Sequence, residues 1–368
     1  MIAAAVARAL ASVRVVPDYV PFFGGLDTVT PPLQLPRGFC RAAQNFEASI
    51  NGGYERFKGY ERFDGRSPPS DGQYAILNVT ITGTFAVGDT ITGVTSGATA
   101  VVLAVVTSGT PDYLVITKIV GTFVNPETLN VAAVGQGTTS STANVNGAST
   151  AKLHAQYNNL AADEYRDDIL AVPGSGIIRG VWMLNDVVYA FKNNAGGTAC
   201  AMYKSSVSGW TAVALGRQLS FTSGGVTAIA EGNTITGAIS GATAVITRVV
   251  VTSGTWAGGD AAGKFIFASQ TGTFQAENID VGATLNLATI AGNSSAITLL
   301  PDGRFEFITK NFGGKANTNR MYGCDRINKG FEFDGTVYVP IDTGMTTDTP
   351  NHVREHKHHL FFAFAGSM

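Results

Sequence analysis

Charge is scarce in this chain: Asp, Glu, Lys and Arg supply only 14% of its 368 residues, against roughly 25% in an average soluble domain. With 25 basic and 27 acidic side chains the formal net charge is −2. No whole-molecule field therefore draws the chain onto nucleic acid or an acidic membrane, and any contact with DNA has to be local. Cysteine is limited to Cys40, Cys200 and Cys324, a dispersed, odd set that excludes a disulfide framework and a CxxC metal site and reads as free thiols in a reducing compartment. Long apolar runs are missing as well. The Ala-rich N-terminus is interrupted by Arg8 and Arg14, well short of the ~18 continuous apolar residues of a spanning helix. Its helix formers, stopped by Pro17, predict a short docking helix or a flexible arm over Ile2–Val13. The sequence also lacks a GxSxG elbow, a GxxxxGK[ST] phosphate loop, an HExxH pair and a dinucleotide glycine fingerprint, each of which would mark a familiar chemistry.

What is abundant is glycine, at 44 residues, within a chain that is 45% apolar. That combination argues against disorder and for packed β-structure with many tight turns. At 38.3 kDa, roughly two to four compact units are expected.

The strongest pattern is internal. Gly88-Asp-Thr-Ile-Thr-Gly-Val-Thr-Ser-Gly-Ala-Thr-Ala-Val-Val102 matches Gly232-Asn-Thr-Ile-Thr-Gly-Ala-Ile-Ser-Gly-Ala-Thr-Ala-Val-Ile246. A second anchor follows in each copy, Val106-Thr-Ser-Gly-Thr110 and Val251-Thr-Ser-Gly-Thr255, and then a third, Gly121-Thr-Phe123 with Glu127 and Gly272-Thr-Phe274 with Glu277. Three anchors in one order establish a duplication. The β-branched runs Ala98–Val106 and Ala242–Thr252, punctuated by Gly, Ser-Gly and Asn/Asp turns, predict a small β-sandwich or barrel in each copy. The copies differ mainly where Thr110-Pro-Asp-Tyr113 faces the longer 255–263 stretch, a place where a hairpin tip tolerates insertion.

Outside the modules the texture changes. Ile177–Trp182, Asp186–Phe191, Ala201–Lys204 and Gly209–Val213 predict four short strands. Arg304–Ile308, Arg320–Gly323, Gly330–Phe333 and Thr336–Pro340 predict four more, and Asn351–Phe364 begins a third run. Repeated four-stranded meanders suggest propeller blades. The third run leaves an unpaired edge, to be completed either by a second chain or by further strands of a longer product of which this sequence is one segment. The fold class expected is thus all-β: a propeller-like scaffold with two inserted β-modules. The expected organisation is an N-terminal arm and docking segment (1–70), module copy 1 (71–150), a scaffold blade (151–215), module copy 2 (216–297) and scaffold blades with the last incomplete (298–368).

Candidate chemistry is thin. The acidic run Asp163-Glu-Tyr-Arg-Asp-Asp168 reads as a solvated turn, with calcium ligation as the functional alternative. His352, His356, His358 and His359 crowd one segment. His356 and His358 on one strand face could hold zinc or nickel given a third ligand from elsewhere, but strand-edge histidines at a turn or interface are the plainer reading. Tyr54-Glu-Arg56-Phe57 and Tyr60-Glu-Arg62-Phe63 interleave aromatic and basic side chains, as a base- or sugar-stacking patch does. An amphipathic strand pair, with Tyr and Phe buried and Glu and Arg paired outside, is the plainer reading. No catalytic, metal or cofactor residue is assigned.

Gly24-Gly-Leu-Asp-Thr-Val-Thr-Pro-Pro-Leu-Gln-Leu-Pro-Arg-Gly38, Ala42-Ala-Gln-Asn-Phe-Glu47 and the segment from Gly52 to Gly65 resemble the opening of bacteriophage tail and head-to-tail proteins, nearest the tail tube or nozzle class of short-tailed phages. Arg179-Gly-Val-Trp182, Arg320-Met-Tyr-Gly323 and Phe331-Glu-Phe-Asp-Gly335 look like blades of the same body. The resemblance covers roughly residues 20–70, 165–215 and 298–364 and leaves both modules outside it. It implies a non-enzymatic virion component, assembled in the host cytoplasm as a homo-oligomeric ring around the DNA exit channel. Such a ring lies below the portal and adaptor and supports tail fibres, with transient passage of genomic DNA and no membrane span.

Three other readings stay open. One is a host-surface module that binds glycan or protein through exposed aromatics, Tyr113, Phe123, Trp256 and Phe274 being the candidates unless they pack in cores. Another is a capsid decoration protein. The third is a polysaccharide-degrading enzyme, for which an acid pair such as Glu127 with Asp112 would have to face an open groove. The near absence of ionisable side chains in the modules argues against catalysis there, and their position as insertions between scaffold runs implies that both copies protrude from the body on the same outward side.

Overall fold

The computed structural model describes residues 24–42, 46–48, 54–56, 60–222, 224–315 and 318–365; the helix expected over Ile2–Val13 lies outside them. Strands take up 43% of the chain, with one α-helix among the described residues, so the protein is almost all β.

Residues 1–61 form a unit of their own. In it, β1 (Gly25–Leu26) runs parallel to β2 (Phe39–Cys40), and β3 (Phe46–Ala48) pairs antiparallel with β4 (Tyr54–Arg56). The aromatic-basic repeat is therefore not a strand pair with itself. Its first half pairs with Phe46–Ala48, and its second half, Tyr60–Phe63, carries no strand.

In the larger unit, the first module is a closed barrel. Its strands are β5 (Ala75–Ile81), β6 (Thr90–Gly93), β7 (Thr99–Val106), β8 (Tyr113–Val120), β9 (Thr128–Val131) and β10 (Val134–Thr139), with a short β11 (Asn144–Val145) beside β5. Pairing runs β5, β8, β7, β6, β9, β10 and back to β5, which leaves no open edge in the circuit. Alternation along the strands places Leu77, Ile91, Val102, Leu114, Ile116 and Leu129 inside, joined there by Phe123 from the loop between β8 and β9.

Next comes the helix that the sequence reading missed, α1 (Ala151–Asp168), capped by the Thr150 side chain, which accepts from the Leu153 N–H. Leu153, Tyr157, Leu160 and Ala161 recur at helical spacing and face Tyr74, Leu103 and Val115 of the barrel. Lys118 fastens the far end of the helix to the barrel through Glu164 and Asp168, both at 2.8 Å. The acidic run is thus the last two turns of a helix, not a turn before a strand.

The scaffold resumes with β12 (Ser175–Leu184), β13 (Val187–Asn193), β14 (Cys200–Lys204) and β15 (Thr211–Ala212), a four-stranded antiparallel meander. The second module then repeats the barrel circuit with β16 (Arg217–Thr222), β17 (Thr234–Gly237), β18 (Thr243–Val245), β19 (Arg248–Ser253), β20 (Ala262–Phe267), β21 (Gln270–Thr271), β22 (Ala276–Val281), β23 (Thr284–Ala291) and β24 (Ser295–Ala296). Strands β18 and β19 together occupy the place of β7. The path is broken at Ile246-Thr247, where the Thr247 N–H and hydroxyl both donate to the Ile266 carbonyl at 2.8 Å.

A second meander follows, β25 (Glu306–Lys310), β26 (Arg320–Cys324), β27 (Phe331–Phe333) and β28 (Tyr338–Pro340), and then a hairpin, β29 (His352–His356) with β30 (His359–Ala363). These three sheets stack face to face. Tyr189, Phe191 and Met202 of the first meander share a core with Phe307, Met321, Phe331 and Phe333 of the second. On the second meander's other face, Tyr322 and Cys324 meet Val353 and Phe362 of the hairpin. The rings interleave closely, Phe191 lying 4.2 Å from Phe305 and Phe331 4.7 Å from Tyr338 between centroids. Gly180 and Gly323 make room for them: a Cβ on Gly323 would lie 2.5 Å from Phe331, and one on Gly180 2.7 Å from Phe305.

The second barrel is docked on this stack instead of standing clear of it. Arg248 reaches Glu332 at 2.6 Å and Asp334 at 2.7 Å, and Lys264 reaches Asp342 at 2.5 Å. Burial works against the Arg248 charge, but the bond to Glu332 and the neighbouring Glu231 and Asp334 hold its pKa above the ordinary arginine value. Desolvation likewise opposes the Asp334 charge, and the N–H groups of Val337 and Thr336 with Arg248 and Arg320 keep its pKa low. The expectation that both modules protrude thus fails for the second, because Arg248 and Lys264 of its wall are ion-paired with carboxylates of the scaffold.

Gly323→Ala should destabilise the scaffold by about 1–3 kcal/mol, since the completely buried Phe331 ring has no room to retreat. A lower urea midpoint with an unchanged slope is the expected result, and an unchanged midpoint would contradict the ring-over-glycine packing.

Candidate functional site

The feature that recurs at the same place in both barrels is a buried carboxylate. In the first copy the chain turns from β6 to β7 through Val94-Thr-Ser-Gly97, and Glu127, only 3% exposed, lies beneath that loop. Its carboxylate accepts from the N–H groups of Ser96 at 2.9 Å, Thr95 at 3.2 Å and Val124 at 2.8 Å, and from the Ser96 hydroxyl at 2.9 Å. In the second copy Glu277 accepts from the Ile239 and Ser240 N–H groups at 2.7 and 2.8 Å, the Ser240 hydroxyl at 2.6 Å and the Gln275 N–H at 3.1 Å.

The other repeated residues serve this lock. A Cβ on Gly93 or Gly237 would come within 2.5 Å of the glutamate or the loop serine. Gly97 and Gly241, at φ +68 and +65, supply the left-handed turn that brings the loop back. The Ser-Gly-Ala string and the distant glutamate, read in the sequence as anchors of a repeat, are therefore the two halves of one hydrogen-bonded site.

Burial alone would raise the pKa of both glutamates; donors from Ser96, Val124 and Thr95 in one copy, and from Ser240, Gln275 and Ile239 in the other, outweigh it and hold both below the ordinary value. A carboxylate so saturated is a structural anion. Its lone pairs are occupied, so neither residue is placed to take a substrate proton, and Glu127 does not form an acid pair with Asp112 across an open groove.

Within the larger unit, Tyr113 and Trp256 belong to different barrels. Tyr54 and Arg56 lie on β4, their side chains outside the described residues, while Tyr60 is 82% exposed and Arg62 is exposed. Tyr113 is half-buried, its hydroxyl 3.0 Å from that of Tyr157 on α1. Burial and this bond push the Tyr157 pKa up to about 12. Trp256 lies half-buried at the longer hairpin tip, stacked on Phe221 at 5.2 Å. Phe123 and Phe274 are core residues, each 1% exposed. The four aromatics offered for ligand binding are thus engaged in packing.

Among the described residues, no group of three or more His, Cys, Asp and Glu side chains is arranged to hold a metal ion. His356 and His358 do not share a strand face: Lys357 and His358, at φ +48 and +61, form the turn, and the cross-strand partner of His356 is His359. His352 instead lies 2.7 Å from Glu306, which also pairs with Arg354. The free thiols of Cys200 and Cys324 are buried, and that burial pushes both up to about 12, far from the reactive range. Among the described residues no helix is long and apolar enough to cross a membrane, a statement that leaves strands aside.

One surface stands out by composition. The face of the first meander turned away from the scaffold core exposes Ile178 (48%), Val181 (50%) and Met183 (61%). A groove of about 660 Å³ runs beside it, lined by Phe63, Leu170, Val172, Ile178, Val181 and Trp210. Arg62 and Lys192 lie at the same groove. No protein-family model, curated protein or solved structure matches this chain.

Glu127→Gln should free the amides of Thr95, Ser96 and Val124 at a cost of about 1–3 kcal/mol, seen as faster hydrogen exchange confined to that barrel end. Because both carboxylates have depressed pKa values, their contribution is complete above the ordinary glutamate value of 4.5 and is lost as pH falls through the lower folded-state value. The Glu127→Gln/Glu277→Gln double variant should accordingly lose less stability than the parent between pH 5 and pH 3 in thermal melts. Parallel losses would sink the lock as the acid-sensitive element.

Proposed function

We propose that this protein is a structural component of a bacteriophage tail. In this reading copies form a ring, or nozzle, around the DNA exit channel below the portal and adaptor and support tail fibres, with no enzymatic role. The observation that carries it is the stack of three antiparallel sheets, β12–β15, β25–β28 and β29–β30, sharing aromatic cores face to face. Successive meanders stacked in this way are the building plan of a propeller-like body. The N-terminal segment from Gly24 to Gly65 resembles the segment that introduces such a body in tail nozzle proteins. The near-neutral net charge of −2 suits a wall past which DNA must slide without being held.

The two barrels fit the reading as rigid accessories, since their buried glutamates serve loop architecture. The host-surface alternative loses support from the packing of Tyr113, Phe123, Trp256 and Phe274. Cryo-electron microscopy of the particle carrying this chain should find it as an axial ring at the tail. Copies scattered over the shell would make it a decoration protein, and the absence of any ring on the tail axis would refute the nozzle reading.

A further inference from the structure

Between the second barrel and the second meander runs a groove of about 710 Å³, within the roughly 300–1,000 Å³ of ligand clefts. Part of its wall is the chain that leaves the barrel, where alternation buries Ile297 and Leu299 and leaves Ala296, Thr298 and Leu300 exposed. Gln218 of β16 and Lys264 of β20 line it from the barrel, Lys329 from the meander, and residues of the 342–349 segment complete the lining. The ionic groups there balance. Lys264 and Lys329 each take one oxygen of Asp342, and Asp348 accepts from the N–H and hydroxyl of Thr343. Two cations thus meet two anions, and no net charge is left over for a charged ligand.

What is left over is hydrogen-bonding capacity of both kinds. Each ammonium carries three N–H donors and spends one on Asp342, and the hydroxyls of Thr298 and Thr346 both donate and accept. The Gln218 side-chain oxygen is buried and has no hydrogen-bond partner among the described residues. The sister barrel shows that this amide is not required for packing. The pairings of Ala75 with Val145 and of Arg217 with Ala296 align the two walls, so that Gln218 takes the place of Ile76 and Lys264 that of Tyr113. In the first barrel both positions pack against α1. In the second, Lys264 is ion-paired with the scaffold, while the Gln218 oxygen is left short of a donor, which opposes folding.

We propose that this groove binds a neutral oligosaccharide. Sugar hydroxyls both donate and accept, so one ligand serves the Gln218 oxygen as donor and the Lys264 and Lys329 ammoniums as acceptor. A ligand of acceptors alone, such as a carboxylate or a phosphate, would leave Gln218 unmatched and would set its own charge against Asp342 and Asp348. Leu300 and Met345, 58% and 45% exposed at the groove, offer apolar surface to the C–H faces of the sugar rings. The volume exceeds that of a single sugar ring, which selects an oligosaccharide over a monosaccharide.

The test applies the full chain, fluorescently labelled, to a microarray of printed neutral and acidic oligosaccharides, and titrates the best hit as a soluble glycan by isothermal calorimetry. Neutral glycans should bind. Thr298→Val removes only a hydroxyl from an exposed position, and Gln218→Met removes the acceptor. Each should weaken the best hit about three- to tenfold, while Thr90→Val on the exposed wall of the first barrel should leave it unchanged. Circular dichroism checks folding, with Thr346→Val standing in should Gln218→Met misfold. Binding confined to acidic glycans, affinity that the groove variants leave untouched, or no binding to any printed glycan would each overturn the proposal. The groove lies within a single chain, so its failure leaves the ring reading intact, and a chain that binds sugar without forming a ring would overturn only the latter.

Discussion

The scaffold depends on phenylalanine rings set into spaces that glycine leaves open. Phe191, Phe305, Phe307 and Phe331 form one interleaved layer between two meanders, and that layer joins segments separated by the whole second barrel. The rings can approach because Gly180 and Gly323 present backbone where any other residue would present a Cβ. A contact of such long sequence separation carries a loop-closure cost, and dense aromatic packing is the interaction able to offset it. The Arg248 clamp and the hairpin seated on Tyr322 and Cys324 both engage the second meander, the sheet that this layer packs against the first.

The barrels solve the opposite problem. Each is closed by pairings within its own segment and carries its own core. Their loops are held by an internal anion in place of a partner. Closure and a satisfied carboxylate together explain why so few charged residues are found in them: there is no free edge to protect and no exposed charge is needed to order the loop. Where the second barrel does need outside contact, it uses Arg248 and Lys264 against carboxylates of the scaffold.

Much of this was legible in the sequence, and the exceptions have physical causes. The duplication was visible because the lock needs the same Gly, Ser-Gly-Ala and Glu in each copy. The eight scaffold strands and the hairpin were visible because aromatic and β-branched runs alternate between Asn/Gly turns. The helix was hidden because its buried stripe is narrow, Tyr157 and Ala161 being its only fully buried residues, and because its acidic end looks like a solvated turn. Its signal was the Thr150 cap followed by Leu153, Tyr157, Leu160 and Ala161. The function of Glu127 and Glu277 was not legible, since their donors are backbone amides that no side-chain pattern announces.

In each barrel the strand that enters and the strand that leaves are hydrogen-bonded neighbours: Ala75 pairs with Val145, and Arg217 with Ala296. The host polypeptide therefore meets two chain ends one strand spacing apart, about 4.8 Å, whatever the size of the domain hung between them. Such a cassette can be excised, swapped or lengthened while the flanking chain closes over almost the same gap. For the second barrel the remaining constraint is electrostatic, because a replacement without Arg248 would leave Glu332 and Asp334 to share Arg320. The first barrel sets a different condition on exchange: the helix that follows it would lose the wall on which Tyr157 rests.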